Sequence, residues 1–250
     1  IQPVRHESIR DAQTFTGTVY PRTQFVVAPK VSERLEKLLV NIGSEVRSGD
    51  LIAQLDDQEY RQQVEQARAE LDVARANVAD TQSALEIATR ELDRVKALRA
   101  QQVASESELD RAEASSRTAA ARHEVALAQV KQREAALKAS EVRLSYTQIS
   151  ASWNNRNEVR VVGERFVDEG AMLGANQPIV SVLDLDIVIA SIYVIERDYP
   201  NIRIGQTATI TTDAFPQRTF KGTILRKAPL LREASRQALV EIEVPNTDRL

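Results

Sequence analysis

Between Leu51 and Ser150 the apolar residues recur in sevens. Val64, Leu71, Val78, Leu85 and Leu92 form one row, and Ala67, Ala74, Thr81, Ala88 and Val95 stand three residues after each. This is a heptad with its a and d positions facing a seam, the pattern of helices packed along their length. The small d residues predict close approach of the partner helix. From Asp50 to Val162 there is no glycine or proline, and Ala, Glu, Gln, Arg and Leu, the strongest helix formers, dominate. The pattern breaks at Gln101–Ser105, where Ser105 followed by Glu108 makes a capping box that starts a new helix. A second, weaker seam follows, with Leu109, Ser116, His123, Val130, Leu137 and Leu144 at a and Ala112, Ala119 and Ala126 at d. Two seams of similar length around one short break predict an antiparallel helical hairpin, each arm roughly 60 Å long. One continuous helix seeking an external partner is the alternative.

On either side of this segment the period changes to short alternating runs. Before it, Ser8–Tyr20 predicts a strand ending at Pro21, followed by Phe25–Pro29, Leu35–Val40 and a last short strand from Leu51 to Leu55. Asp56 and Asp57 suit a helix N-terminus. Val40, Gly43, Val46, Gly49, Ile52 and Leu55, each three residues apart, match Val167, Gly170, Leu173, Asn176, Ile179 and Val182 without a gap. Gly43, Gly49 and Gly170 mark turns, and Asn176 replaces a glycine as the other residue that tolerates a left-handed backbone. The repeat predicts one small β domain split by the hairpin. From Ile187 to Val244 short alternating runs separated by Gly205, Pro216, Gly222 and Pro245 predict an antiparallel sheet or barrel, to which the first residues add a strand. The fold class is therefore mixed α and β, elongated and multidomain.

Composition narrows the function. The chain has 250 residues, 42% hydrophobic and 28% charged, with a net charge of −3, which gives no footprint for nucleic acid. Aromatic residues make up 4%, too few for one large globular core. No apolar run is long enough to span a bilayer. The absence of cysteine removes disulfides, thiolate metal sites and thiol nucleophiles. No phosphate-cradling loop, Ser-His-Asp set or metal spacing stands out, so neither an enzyme nor a cofactor or metal site is expected. His123 lies on the seam with no second histidine near it in sequence, since His6 belongs to another part of the chain.

Three motifs carry a family resemblance. Val27-Ala28-Pro29 through Gly43, Val46 and Gly49 to Leu55-Asp56 looks like the first half of a biotinyl/lipoyl-like domain. Leu144–Ile149 with Val161–Asp184 looks like its second half. Val194–Asp198, Ile204-Gly205-Gln206 and Asp213–Pro216 look like an adaptor β-barrel. The chain resembles the periplasmic adaptor subunits, or membrane fusion proteins, of tripartite efflux pumps, most of all those of the resistance-nodulation-division (RND) type. It departs from their pattern at Glu33, where the family has glycine, and in the glycine-free loop Ala151–Asn157. The resemblance implies an N-terminal strand joining the barrel in residues 1–24, lipoyl-like halves at 25–56 and 147–185, a hairpin at 57–146 with its tip near 101–105, and an incomplete barrel at 186–250. It implies a periplasmic protein whose membrane anchor and membrane-proximal domain lie outside this chain.

The same resemblance implies partners and a site. An adaptor links an inner-membrane transporter to an outer-membrane channel, assembled as a homo-oligomer, in this family a hexamer, through which small molecules leave the cell. Arg94, Leu98 and Ser105 match the family's tip motif for docking on the channel. In the heptad frame Arg94 is c and Leu98 is g, four residues apart on one outward face. An adaptor of an ABC-type or type I secretion exporter is the second reading. A biotinyl or lipoyl carrier domain is the remote one, since such carriers present a lysine where this chain has the whole hairpin.

Overall fold

The structure, a computed structural model, describes residues 13–154 and 158–247. In chain order the elements are β1 (Gly17–Val27), β2 (Glu33–Leu38), β3 (Glu45–Arg47), β4 (Leu51–Leu55), α1 (Gln58–Ala100), α2 (Glu106–Ser145), β5 (Gln148–Ser150), β6 (Val159–Arg165), β7 (Met172–Leu173), β8 (Val180–Ile195), β9 (Thr207–Ile210), β10 (Phe220–Lys227) and β11 (Gln237–Pro245). A single turn of 3-10 helix at Tyr199–Asn201 precedes β9. The expectations for residues 8–12, 155–157 and 248–250 lie outside the described residues.

The repeat seen in sequence is written in the backbone hydrogen bonds. Leu35 N–H donates to Ala171 O at 2.8 Å, and its counterpart Val162 donates to Ser44 O at 3.0 Å. Gly43 donates to Val162 O while Gly170 donates to Leu35 O, both at 2.8 Å. Leu39 to Ile52 and Phe166 to Ile179 form a third such pair, each at 2.9 Å. Two matching units therefore interlock as a sandwich, each lending a strand to the other's sheet, with β5-β4-β2-β7 as one sheet and the β3-β6-β8 end of a seven-stranded sheet as the other. Leu35, Ile52, Leu55, Ile179, Val180 and Val182 fill the space between them and are fully buried.

The seven-stranded sheet continues through β8 into the order β8-β11-β10-β9, whose core holds Val194, Ile224, Val240, Ile242 and Val244. One ribbon, β1 against β8, serves both β units. Gly17–Pro21 pair with Val188–Ile192 beside β11, and Thr23–Val27 pair with Val180–Asp184 beside β6. This corrects the expectation that Pro21 ends the first strand. β1 pairs on one side only, so the missing N–H of Pro21 falls on a free edge, at a register shift between Pro21 and Thr23. The two β units are thus divided inside continuous strands. At this junction buried Asn246 donates from its backbone to Asp186 O and from its amide to Leu185 O, each at 2.9 Å.

On the neighbouring strands Tyr20 donates to Glu241 Oε1 at 2.7 Å, and Arg226 pairs with the other carboxylate oxygen. This fastens β1 and β10 to β11 across the sheet. Burial first, and then the bond to Glu241, push the Tyr20 phenol up to about 12. Burial pushes the Glu241 carboxyl up, but the hydrogen bonds from Arg226 and Tyr20 outweigh it and hold the group below its ordinary value.

Candidate docking surface at the hairpin tip

The hairpin leaves the sandwich after β4 and returns at β5, where Leu55 N–H meets Thr147 O at 2.8 Å. Asp56 Oδ1 accepts from Gln58 N–H at 3.1 Å to start α1, while Asp57 makes no cap bond and pairs with Arg61. The arms hold 43 and 40 residues, roughly 60 Å of helix each.

Their seam follows the heptad. Val64 and Leu71 are buried, as are Ala74, Ala112 and Ala126, the last only 1% exposed. Val78, Leu85 and Leu92 on α1, and Leu109, Val130 and Leu137 on α2, are half-buried. Alanine at d brings the arms close, which is why the larger a residues cannot all be covered. In the middle of the seam Thr81 Oγ1 meets His123 Nδ1 at 3.3 Å, so His123 is a seam partner of Thr81. Arg133 to Glu70 at 2.6 Å and Arg75 to Glu134 at 3.3 Å tie the arms from the sides.

At the far end the backbone is tightly organised. Leu98 O receives N–H groups from Gln101 (3.2 Å), Val103 (3.0 Å) and Ala104 (3.4 Å). Gln102 takes a left-handed φ of 62°, and Arg99 Nη1 donates to Ala104 O at 3.1 Å. Ser105 then forms a complete capping box: its Oγ accepts from Glu108 N–H at 3.2 Å, and its own N–H donates to Glu108 Oε2 at 2.7 Å. The bond from the Ser105 backbone, then that from its hydroxyl, hold the Glu108 carboxyl below its usual value.

The three motif residues have different places in this knob. Arg94 points outward and is held by Glu91, with Nη2 to Oε1 at 2.5 Å and Nε to Oε2 at 3.0 Å. Leu98 does not share that outward face. It is half-buried against the tip core of Val95, Ala104 and Ala112, because the turn folds back over the g position that an endless helix would leave open. Ser105 is engaged in the cap. The exposed apolar side chain is Val103, at 70% exposure, which the heptad reading overlooked. Its signal was there: an apolar residue inside the break, belonging to neither seam.

At the base, Gly43, Gly49, Gly170 and Asn176 have φ of 83°, 100°, 86° and 63°, so all four repeat positions take the left-handed turn. Trp153 packs against Phe25, with ring centroids 6.0 Å apart, and Arg160 lies 4.7 Å over its ring. Among the described residues no group of three or more His, Asp or Glu is placed to hold a metal ion, and no helix is long and apolar enough to cross a membrane.

Two family models match this chain. An RND membrane fusion protein α-helical hairpin domain matches residues 70–147, and a CusB-like β-barrel domain matches residues 188–250. The macrolide export protein MacA of Yersinia pestis is 29% identical over 251 residues, covering 99% of this chain and 67% of the relative. The nodulation protein NolF of Rhizobium meliloti is 26% identical over 94% of this chain, which spans only 59% of that relative's length. The crystal structure of MacA from Actinobacillus actinomycetemcomitans shares the fold with a TM-score of 0.83 at 24% identity, covering 94% of this chain and 73% of that one. With a hairpin inserted in a two-fold β sandwich, an adjoining barrel and these relatives, the chain belongs to the membrane fusion proteins, the family of non-enzymatic periplasmic adaptors.

Proposed function

We propose that this chain is the hairpin-bearing part of a periplasmic adaptor that joins an inner-membrane transporter to an outer-membrane channel for export of small molecules. The observation that carries this reading is the tip: a capped, internally hydrogen-bonded knob with one bare apolar residue, Val103, at the end of arms too long for any role in a single core. Such a knob binds with little ordering cost, because its backbone is already fixed. Arg94 and Val103 present the contact, while Leu98 and Ser105 hold the shape beneath it. The adaptor sits in the periplasm, anchored to the inner membrane, and works as a homo-oligomer, a hexamer in the assembled pump.

The descriptions of the hairpin and barrel families favour an RND transporter as the inner-membrane partner. The test is photo-crosslinking in cells from positions 103 and 98 of the full-length protein, with captured proteins identified by mass spectrometry. Position 103 captures an outer-membrane channel and position 98 captures it weakly. Capture of no channel from either position, in cells where the pump is assembled, overturns the reading. Isolation of the full-length protein with an ATP-binding cassette transporter, and no RND protein, replaces the transporter class while leaving the adaptor role.

A further inference from the structure

The end of the barrel sheet farthest from the sandwich is closed by two loops. β8 runs out to Ile195, where it pairs with Gln237 at the start of β11. One loop, 196–206, follows β8, and the other, 228–236, joins β10 to β11. They are stitched together. Tyr199 Oη donates to Ala228 O at 2.9 Å, and Lys227 Nζ donates to Ile202 O at 3.0 Å while lying 4.2 Å over the Tyr199 ring.

Two residues beyond each stitch the chain presents a bare apolar side chain. Gln206 N–H donates to Arg203 O at 3.2 Å, and Gly205 takes a φ of 85°. This tight turn, with its left-handed residue third, puts Ile204 at the tip, where it is 65% exposed. In the other loop Leu230 follows Pro229 and is 81% exposed. The base of that loop is held by Ala228 N–H to Leu239 O at 2.7 Å and Arg232 N–H to Gln237 O at 2.9 Å. Ordered turns thus hold both side chains in water, and each gains from a partner that removes it from water.

The charges on these loops are biased. Arg197, Arg203, Arg232 and Arg236 are exposed, against Glu196 and Glu233 as the exposed acids, in a chain whose net charge is −3. All four exposed bases are arginine, whose planar guanidinium matches phosphate oxygens. A protein interface is built on a contiguous core with aromatic anchors. Here the aromatic rings are taken by cations of the same loops, Tyr199 by Lys227 and Tyr193 by Arg232 at 4.4 Å, and the apolar atoms stand on two separate convex tips. Apolar tips with arginines beside them fit a deformable surface of phosphate headgroups over acyl chains. We infer that this end of the barrel lies on an anionic phospholipid bilayer. Ile204 and Leu230 enter the boundary between headgroups and acyl chains, and the four arginines meet lipid phosphates. The inference rests on the adaptor reading only in assigning the surface to the inner membrane, since the hairpin tip belongs to the outer-membrane channel.

The test places a genetically encoded fluorescent amino acid at position 204, 230 or 103 of the full-length protein. Each variant is reconstituted with vesicles of phosphatidylethanolamine and phosphatidylglycerol that carry a spin-labelled lipid as quencher. Fluorescence is quenched at 204 and 230 and not at 103. Vesicles of phosphatidylcholine alone give little quenching at any position, and Arg203→Gln with Arg236→Gln brings the signal at 230 down to that level. Leu230→Asp lowers quenching at 204 as well, because both tips enter one surface. Circular dichroism checks that each variant keeps its fold. No quenching at 204 and 230, with channel capture from position 103 intact in cells, overturns the membrane contact and leaves the adaptor role. Capture of a transporter from position 230 in cells, again without quenching, assigns the surface to a protein and overturns the inference. Quenching without channel capture supports the membrane contact and removes the docking role instead.

Discussion

Asn176 and Gly170 do the same backbone work with different side chains. A β-carbon added at Gly170 meets nothing within 4 Å, so Gly170→Ala is strained only by its φ of 86°. It should cost about 1 to 2 kcal/mol in urea unfolding, whereas Asn176→Gly should be close to neutral because it relieves the same strain. The Tyr20–Glu241–Arg226 cluster makes a different kind of prediction. The Tyr20 phenol is raised to about 12, so its contribution is full below the unfolded value of about 10 and is lost as pH climbs through 12. Glu241 is lowered, so its contribution is present above the unfolded value of about 4.3 and fades as pH falls through the lower folded one. A phenolate absorbance titration should show a late component near 12 that Tyr20→Phe removes. Glu241→Gln should flatten the acid limb of stability against pH. None of this cluster was legible in the sequence, because Tyr20, Arg226 and Glu241 are brought together only by strand pairing across three separate segments.

The helices were the most legible elements, and for a plain reason: a heptad states both the helix and the face it buries. The capping box likewise fixed where α2 begins. What the heptad lacks is any account of its own end. A helix wheel treats Leu98 as one more outward position, while the turn that follows covers it and exposes Val103 instead. Periodicity also could not show that β1 runs through Pro21, since whether a strand has a free edge is a property of its sheet. The seam makes the prediction at this scale. Ala126, 1% exposed, sets how closely the arms approach. Ala126→Leu should overpack that layer and cost about 1 to 3 kcal/mol, read as a lower melting temperature of the helical signal. The same change at exposed Ala128 should leave the melting temperature nearly unmoved.

Across the whole molecule, the sandwich and the adjoining sheet share the β1–β8 ribbon, and Asn246 grips the place where its register shifts. Asn246→Ala removes the amide donor to Leu185 O. It should cost about 1 kcal/mol of stability and broaden the spin-label distance distribution between a site on β4 and one on β9. An unchanged distribution would show that the ribbon alone holds the angle. The repeat made the sandwich legible from sequence, but the continuity of β1 and β8 between the two β units was not, because their strands carry no marker where one unit ends. The hairpin joins this body differently. Its two ends leave and return at neighbouring strands, bonded to each other through Leu55 and Thr147. A matched insertion of one heptad in each arm therefore adds about 10 Å of reach while keeping the seam and the tip in phase. Reach and foundation can then evolve separately, so that a lineage that needs a longer mast can raise it on an unaltered footing.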